Sequence, residues 1–417
     1  MKIVHIGTAD TNGGAAQASY AVHKELLRLG HDSKMLVGYK YSKDPEVEGV
    51  WFNRGIVRRG LHHFLVGKLE ELTGLQYLLQ PFRKLFLRHP FVRDADIIHL
   101  HNLHGNFFSP TILPQLTALA PTVWSLYDMW PMTPHCTYPE MCGCEIWKTG
   151  KGKCPALFDY PPIGRDTAEY LWRKKKEAYE KSKLTMVGPS HWMCEMAKQS
   201  PLLSRFQIEY IAQGIDSNLY TPGDRAAARE AFGISPDASV VLITALKNAP
   251  RKGLDYFIAS LKHLKTKPRP LLLVVGNQSL RGIAPEDFPL HEMGYLKSQD
   301  VFNTCYAASD ISVLPTLADN LPLTILDSFS AGVPVVSFNT GGVPEIVKHM
   351  ETGYLARYKD AEDLARGMDT LLADTALREK MSKRGREMIL AQYTIEKQAA
   401  GYVKLYEKLL ASPLAHA

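Results

Sequence analysis

Short apolar runs alternate with stretches of helical periodicity along most of the chain. The first run, Lys2–Ile6, is strand-like. Gly13-Gly14 follows, and Ala18, Val22, Leu26 and Leu29 then share a helical face that Gly30 ends. The same reading predicts strands at Lys34–Val37, Asp96–Leu100, Thr122–Leu126 and Leu184–Val187. A second series past Asn218 predicts strands at Ser239–Ala245, Leu271–Val275, Ile311–Leu314 and Val333–Phe338, with helices at Asp255–Leu264 and Leu323–Ser330. Short, continuously apolar strands separated by helices predict parallel sheets covered on both faces. Two such series predict an α/β protein of two Rossmann-like domains facing across a cleft. Gly, Asp, Asn and Pro cluster at Asp216–Gly223, so the domains are expected at 1–218 and 219–393. A last amphipathic helix, 394–411, carries Tyr402, Leu405, Tyr406 and Leu409 on one face and is expected to pack back on the first domain.

No run approaches the ~18 apolar residues of a membrane-spanning helix. The opening MKIVHIG stops at Gly7 and Asp10 and reads as a strand rather than a leader, which points to the cytoplasm. The net charge of +6 is uneven. Between Trp51 and Ala95 eight cations (Arg54, Arg58, Arg59, Lys68, Arg83, Lys84, Arg88, Arg93) face three acids, while the remainder is nearly neutral. That distribution argues against nucleic acid as a partner. Apolar positions Val57, Leu61, Phe64, Leu65, Leu69 and Leu72 form a helical stripe beside Arg58, Arg59, His62, His63 and Lys68. A second stripe, Leu78, Leu79, Phe82, Leu85 and Phe86, lies beside Arg83, Lys84 and Arg88. Basic amphipathic helices of this kind suit an anionic membrane surface, so a peripheral seat on its inner face is compatible with the pattern. Packing of both stripes on the first sheet is the alternative.

Four of the six cysteines, Cys136, Cys142, Cys144 and Cys154, lie within nineteen residues. In a reducing compartment such a cluster suggests a structural zinc site before it suggests disulfides. Reduced, unliganded thiols are the alternative.

Four segments have the chemistry of a ligand site. In Leu314–Glu345 a strand ends at Pro315, and Ala318-Asp319-Asn320 leads into a helix expected to begin near Pro322. The backbone N–H groups of Leu323 and Thr324 at its start make an anion site fit for a diphosphate. Asp319 and Asp327 could hold sugar and ribose hydroxyls, since each carboxylate accepts several hydrogen bonds. Pro250-Arg251-Lys252-Gly253 places two cations at a strand-to-helix turn, suited to phosphate charge, although such a tetrapeptide alone also fits a solvated basic turn. Gly13-Gly14 lets a ligand approach a helix start, without the GxGxxG and acid of an NAD site. His99 and His101 share one face at a strand end, with Asn102 and His104 following.

Taken together these segments resemble the group 1 retaining glycosyltransferases of GT-B architecture. The likeness runs from the Gly-Gly loop through Ala212-Gln213-Gly214-Ile215-Asp216 to the paired acids and Gly341-Gly342-Val343-Pro344-Glu345. Tyr127-Asp128-Met129-Trp130-Pro131, the cysteine cluster with Lys153-Cys154-Pro155, and Pro189-Ser190-His191-Trp192 resemble the polysaccharide-assembly branch, similar to colanic-acid glycosyltransferases. The resemblance implies transfer of a sugar, with retention, from a UDP- or GDP-sugar to a saccharide or lipid-linked saccharide, in exopolysaccharide or surface-glycan synthesis. It implies no metal or other cofactor at the active site. Lys252, Arg251 and Asp319 then take the catalytic places. Asp327, Leu323, Thr324, Asn320, Tyr295 and Gly14 bind the donor, and Gly13, His101, Tyr127 and Asp128 lie on the acceptor side. Three features depart from the family pattern. Both acids are Asp rather than Glu, Ala245-Leu246 replaces a Gly-Arg pair (leaving Arg251 or Lys247 to substitute), and Tyr127 replaces a His. These departures motivate a second reading, a catalytically impaired nucleotide-sugar-binding scaffold subunit.

Overall fold

The computed structural model describes the chain except residues 51–55, 81–83, 245, 247–248, 283, 297 and 412–417, and describes only the backbone over 56–64. The chain forms two compact units, one of Met1–Gln213 together with the segment from Ile395 onward, the other Gly214–Thr394.

The first unit holds seven strands: β1 (Lys2–Ala9), β2 (Asp32–Tyr39), β3 (Val47–Gly49), β4 (Ile97–Leu100), β5 (Thr122–Ser125), β6 (Thr185–Gly188) and β7 (Gln207–Tyr210). Their spatial order is β3-β2-β1-β4-β5-β6-β7, and every pairing is parallel. Strands β4, β5 and β6 are buried at every position, as expected for strands covered on both faces. The helix Ile395–Leu410 belongs to this unit. Ile395, Ala399, Tyr402, Leu405 and Tyr406 pack with Ile3, Val22, Leu26, Ile97, Val123 and Val187.

The second unit holds β8 (Val240–Thr244), β9 (Leu271–Val275), β10 (Leu290–Gly294), β11 (Ile311–Leu314), β12 (Val335–Phe338) and β13 (Gly353–Ala356). The order β10-β9-β8-β11-β12-β13 is again wholly parallel. Both sheets therefore have Rossmann-like topology, with the order reversing between β1 and β4 and between β8 and β11. The chain's two crossings between units lie side by side, since Ile215 forms a bridge with Thr394 and its N–H donates to the Tyr393 carbonyl at 2.9 Å.

Several expectations are corrected. Strands β3, β7, β10 and β13 carry too few consecutive apolar residues to stand out; β10, for instance, reads Leu-His-Glu-Met-Gly and is only half-buried. The second basic stripe is not one helix. Its described part contains single turns at Leu85–Arg88 and Pro90–Arg93, because Pro90 holds His89 extended at ψ 133°. There Phe86 is buried against Phe107 and Phe108. The first stripe lies on a helix, Ile56–Thr73. The side chains of Val57, Arg58, Arg59, Leu61, His62, His63 and Phe64, and all of Arg54, Phe82, Arg83, Ala245 and Lys247, lie outside the described residues.

Candidate active site

Because β8 and β11 are neighbours at the reversal of strand order, the loops that follow them open at one place, where ligands bind in such sheets. After β8 the chain makes a tight turn, Pro250–Lys252, closed by Gly253. After β11 it runs to Pro322, which stands at the N-cap of the helix Leu323–Ser330 rather than inside its first turn. The two loops are zipped together. The Leu317 N–H and Thr316 Oγ1 donate to the Arg251 carbonyl at 2.7 and 3.1 Å, and the Arg251 guanidinium donates to the Ala318 carbonyl at 3.0 Å. Glycine permits this approach. Gly253 has φ 70°, and a Cβ there would lie 1.8 Å from the Pro315 carbonyl oxygen. Gly341 has φ 53°, and a Cβ there would lie 2.0 Å from the Asp319 carbonyl oxygen.

The zip brings three donors onto one carboxylate oxygen. Asp319 Oδ2 accepts hydrogen bonds from Lys252 Nζ at 2.5 Å and Thr316 Oγ1 at 3.2 Å and is ion-paired with Arg251 at 3.2 Å. Burial alone would raise the Asp319 carboxyl. The Lys252 and Arg251 cations, with the Lys252 and Thr316 hydrogen bonds, outweigh it and hold the group below the usual carboxylate range. Oδ1 receives no hydrogen bond among the described residues. Lys252 spends one of its three N–H donors on this pair, leaving two for an anion.

Along the same helix, Asp327 has no described hydrogen-bond partner for its carboxyl, and burial pushes it up to about 8. Tyr220 and Tyr306 stand close by: burial, then the Asp327 charge, raises both phenols. The Tyr306 hydroxyl donates to the Thr324 carbonyl at 3.3 Å.

In the first unit the loops after β1, β4 and β5 converge in the same topological way. His101 Nε2 meets His5 Nδ1 at 2.9 Å, and the Tyr127 ring stacks on His101 at 5.8 Å between centroids. Burial drives His5 far down and His101 down to about 3, so both imidazoles are neutral at physiological pH. His104 Nε2 lies 3.0 Å from Asp128 Oδ2, and its Nδ1 lies 3.3 Å from the Tyr160 hydroxyl. Asp128 also accepts the Trp130 N–H at 2.9 Å. Buried Lys175 fixes this loop, donating to the Trp130 carbonyl at 2.5 Å and the Thr133 carbonyl at 2.9 Å, with its Nζ over the Trp130 ring. His99 stands between Ser125 Oγ and the Tyr406 hydroxyl, each at 2.7 Å.

Residues 224–388, most of the second unit, match the family model described as glycosyl transferases group 1. Over that segment the chain is similar to the group 1 glycosyltransferases. Over nearly the whole sequence it is 22% identical to a putative colanic acid biosynthesis glycosyl transferase of Escherichia coli, covering 93% of this chain and 98% of the relative. It is 27% identical to the N-acetyl-alpha-D-glucosaminyl L-malate synthase of Bacillus anthracis, covering 49% of this chain and about half, 54%, of that relative. Among solved structures, a sucrose-phosphate synthase from Thermosynechococcus elongatus superposes with a TM-score of 0.70 at 18% identity, covering 98% of this chain and 99% of the other. The Anabaena protein HepE, in complex with UDP and glucose, superposes at 0.68 and 16% identity, covering 98% and 100%. These neighbours are GT-B glycosyltransferases, and the likeness establishes the two-Rossmann fold.

The structure joins Arg251 and Lys252 to Asp319, in the loop that leads to the helix start at Leu323 and Thr324. Asn320 follows Asp319 in the same loop and is buried. Asp327 lies one helical stretch further on, and Tyr295 is exposed just past β10. Gly13 is the N-cap of the helix Gly14–Arg28, with no side-chain cap, so its first N–H groups have no side-chain acceptor there. Two expectations change. The Pro250–Gly253 turn is not a solvated basic turn, because Lys252 is ion-paired with a buried acid. His101, expected at a strand end where ligands bind, is itself 1% exposed, wedged between His5 and Tyr127. Sequence reasoning missed Thr316, Lys175 and His5. Nothing in the local pattern distinguishes them, since Lys175 and His5 act on residues distant in the chain and Thr316 joins nearby Asp319 to distant Arg251.

Proposed function

We propose that this protein is a glycosyltransferase that moves a sugar from a nucleotide-diphosphate sugar to a saccharide or lipid-linked saccharide acceptor with retention, in exopolysaccharide or surface-glycan synthesis. The observation that carries the reading is the Lys252–Arg251–Asp319 cluster beside a helix N-terminus at the reversal point of the second sheet. As the donor's glycosidic C–O bond breaks, negative charge grows on the departing diphosphate. Lys252, Arg251 and the N–H groups of Leu323 and Thr324 stabilise it. The acceptor hydroxyl adds from the face the diphosphate leaves, and the departing phosphate oxygen takes its proton, so no protein nucleophile is required. Asp319 holds Lys252 through Oδ2 and offers Oδ1 to a donor-sugar hydroxyl. Asp327 offers its carboxyl to the ribose diol.

UDP is the first donor nucleotide to test, since HepE was solved with UDP-glucose. On the acceptor side we assign Gly13, His101, Tyr127 and Asp128, with His101 acting by supporting the Tyr127 ring. A peripheral membrane seat is favoured by Leu65, Leu69 and Leu72. They share one side of the helix Ile56–Thr73 and are 55%, 50% and 73% exposed, beside exposed Lys68.

Thermal shift with UDP, GDP and ADP, followed by turnover with the matching nucleotide sugars, tests the reading. Binding with turnover supports it. Nucleotide binding without turnover of any donor favours the scaffold reading that Tyr127 and the paired Asp residues motivate.

A further inference from the structure

The loop between Pro131 and Pro162 has little regular structure, only single turns at Pro139–Met141 and Ile146–Thr149. Yet it is ordered about one point. Cys142, Cys144 and Cys154 pack together against Ile146 and Ala168. Among the described residues all four loop cysteines are free thiols.

His135 completes the set. Its Nδ1 lies 3.0 Å from the Pro161 carbonyl, which can only accept, so Nδ1 carries the proton. Nε2 is therefore the lone-pair nitrogen, and it lies 3.2 Å from Cys154 Sγ. A ring nitrogen tied to a backbone carbonyl, with the other turned to a donor cluster, is the usual arrangement of a metal-ligating histidine. Tetrahedral zinc with arms of ~2.3 Å to sulfur and ~2.0 Å to nitrogen separates S from N by roughly 3.5 Å.

We propose that His135, Cys142, Cys144 and Cys154 form a structural zinc site of Cys3His type, with Cys136 a buried bystander. This refines the four-cysteine expectation by exchanging Cys136 for His135, because His135 Nε2 already meets a thiol at 3.2 Å, whereas Cys136 is buried near enough to feel the charges of the other three thiols without packing among them. Among the described residues the one donor trio already within 4.8 Å of one another is His5, His99 and His101 in the sheet core. The loop thiols therefore close further when the ion enters. Each of the three thiols gives its proton to solvent, Cys142 releasing the one it shares with the Pro139 carbonyl, so affinity rises with pH. The ion would staple a loop whose far end presents Tyr160 to His104, and His104 to Asp128. The proposal stands independently of sugar transfer.

Elemental analysis of full-length protein purified without chelator, and anaerobic titration of the reduced metal-free protein with Co2+, test it. We expect about one zinc per chain and the thiolate charge-transfer and tetrahedral d–d bands of Co2+. Cys142→Ser, Cys154→Ser and His135→Gln should each weaken Co2+ binding at least ~tenfold, since even an outer partner's loss costs about 10–100-fold. Cys136→Ser should change neither stoichiometry nor spectrum. Less than a tenth of an equivalent of zinc together with no tetrahedral Co2+ bands in the wild type overturns the site, whatever the variants do. Iron in place of zinc overturns the metal assignment. Unchanged binding in His135→Gln, or lost binding in Cys136→Ser, overturns the ligand set.

Discussion

Lys252 Nζ and Asp319 Oδ2 lie 2.5 Å apart although 67 residues separate them in the chain. The pair joins the loops after β8 and β11. It makes the phosphate-facing cation and the sugar-facing acid a single unit, so each residue is tied to stability as well as to activity.

Lys252→Ala should therefore lower turnover by about 10²–10³-fold and also destabilise the second unit. Breaking a fully buried pair costs ~3–5 kcal/mol; with Arg251 remaining beside Asp319, about 1–3 is expected. A double-mutant cycle of Lys252→Ala with Asp319→Asn, read by chemical denaturation, should show coupling above about 0.5 kcal/mol. Strict additivity would mean the contact carries no energy.

Gly253→Ala and Gly341→Ala each place a Cβ at or within 2.0 Å of a carbonyl oxygen in the acid-bearing loop. Both should lose nucleotide binding by calorimetry and lower Tm. Gly233→Ala is the control. That residue has φ 64° and nothing within 4 Å, so only the left-handed backbone strain of roughly 1 kcal/mol is expected there, with binding unchanged. Equal binding in all three variants would separate the loop contact from the donor site.

Asp327 has a folded pKa raised by burial from 3.8 to about 8. A raised folded value means the folded state binds the extra proton. Stability is full below about pH 4 and declines as pH climbs to about 8, then levels off. Asp327→Asn removes that decline, so its Tm should exceed the wild type at pH 8 and match it near pH 4. If the carboxylate accepts the ribose diol, nucleotide affinity of the wild type should rise through this range and that of Asp327→Asn should not. A variant Tm below the wild type at pH 8 would contradict a desolvated carboxyl without a hydrogen-bond partner among the described residues.

Vesicle co-sedimentation addresses Leu65, Leu69 and Leu72. Binding should need anionic lipid and weaken with salt, and it should fall on Leu69→Glu or when Arg58, Arg59, Arg83 and Lys84 become Glu. Equal binding to neutral vesicles would remove the electrostatic part of the reading.

Much of the fold was legible because buried parallel strands are nearly all apolar: β9 and β11 coincide with the expected Leu271–Val275 and Ile311–Leu314. Half-buried edge strands such as β10 carry mixed residues, and the pattern loses them. In the site, Asp319, Asp327 and the helix start at Leu323 were legible from local chemistry, as was the cation pair at Arg251 and Lys252. That Lys252 belongs to Asp319 was not, and neither were Thr316 as a third donor nor His135 beside Cys154. Each rests on a contact between segments 3 to 67 positions apart whose approach is set by strand order or by loop closure.

The sequence by itself determined the alternation of strand and helix, the presence of two α/β series and the residue types able to meet phosphate and sugar. Periodicity and side-chain chemistry are local properties, so they can be read without coordinates. Only the tertiary structure decided which charges meet, because pairing energy depends on distance and burial. Placing β8 beside β11 turned a basic turn into a buried ion pair. Desolvation near Tyr220 and Tyr306 raised the carboxyl of half-buried Asp327 from the ordinary carboxylate range to about 8.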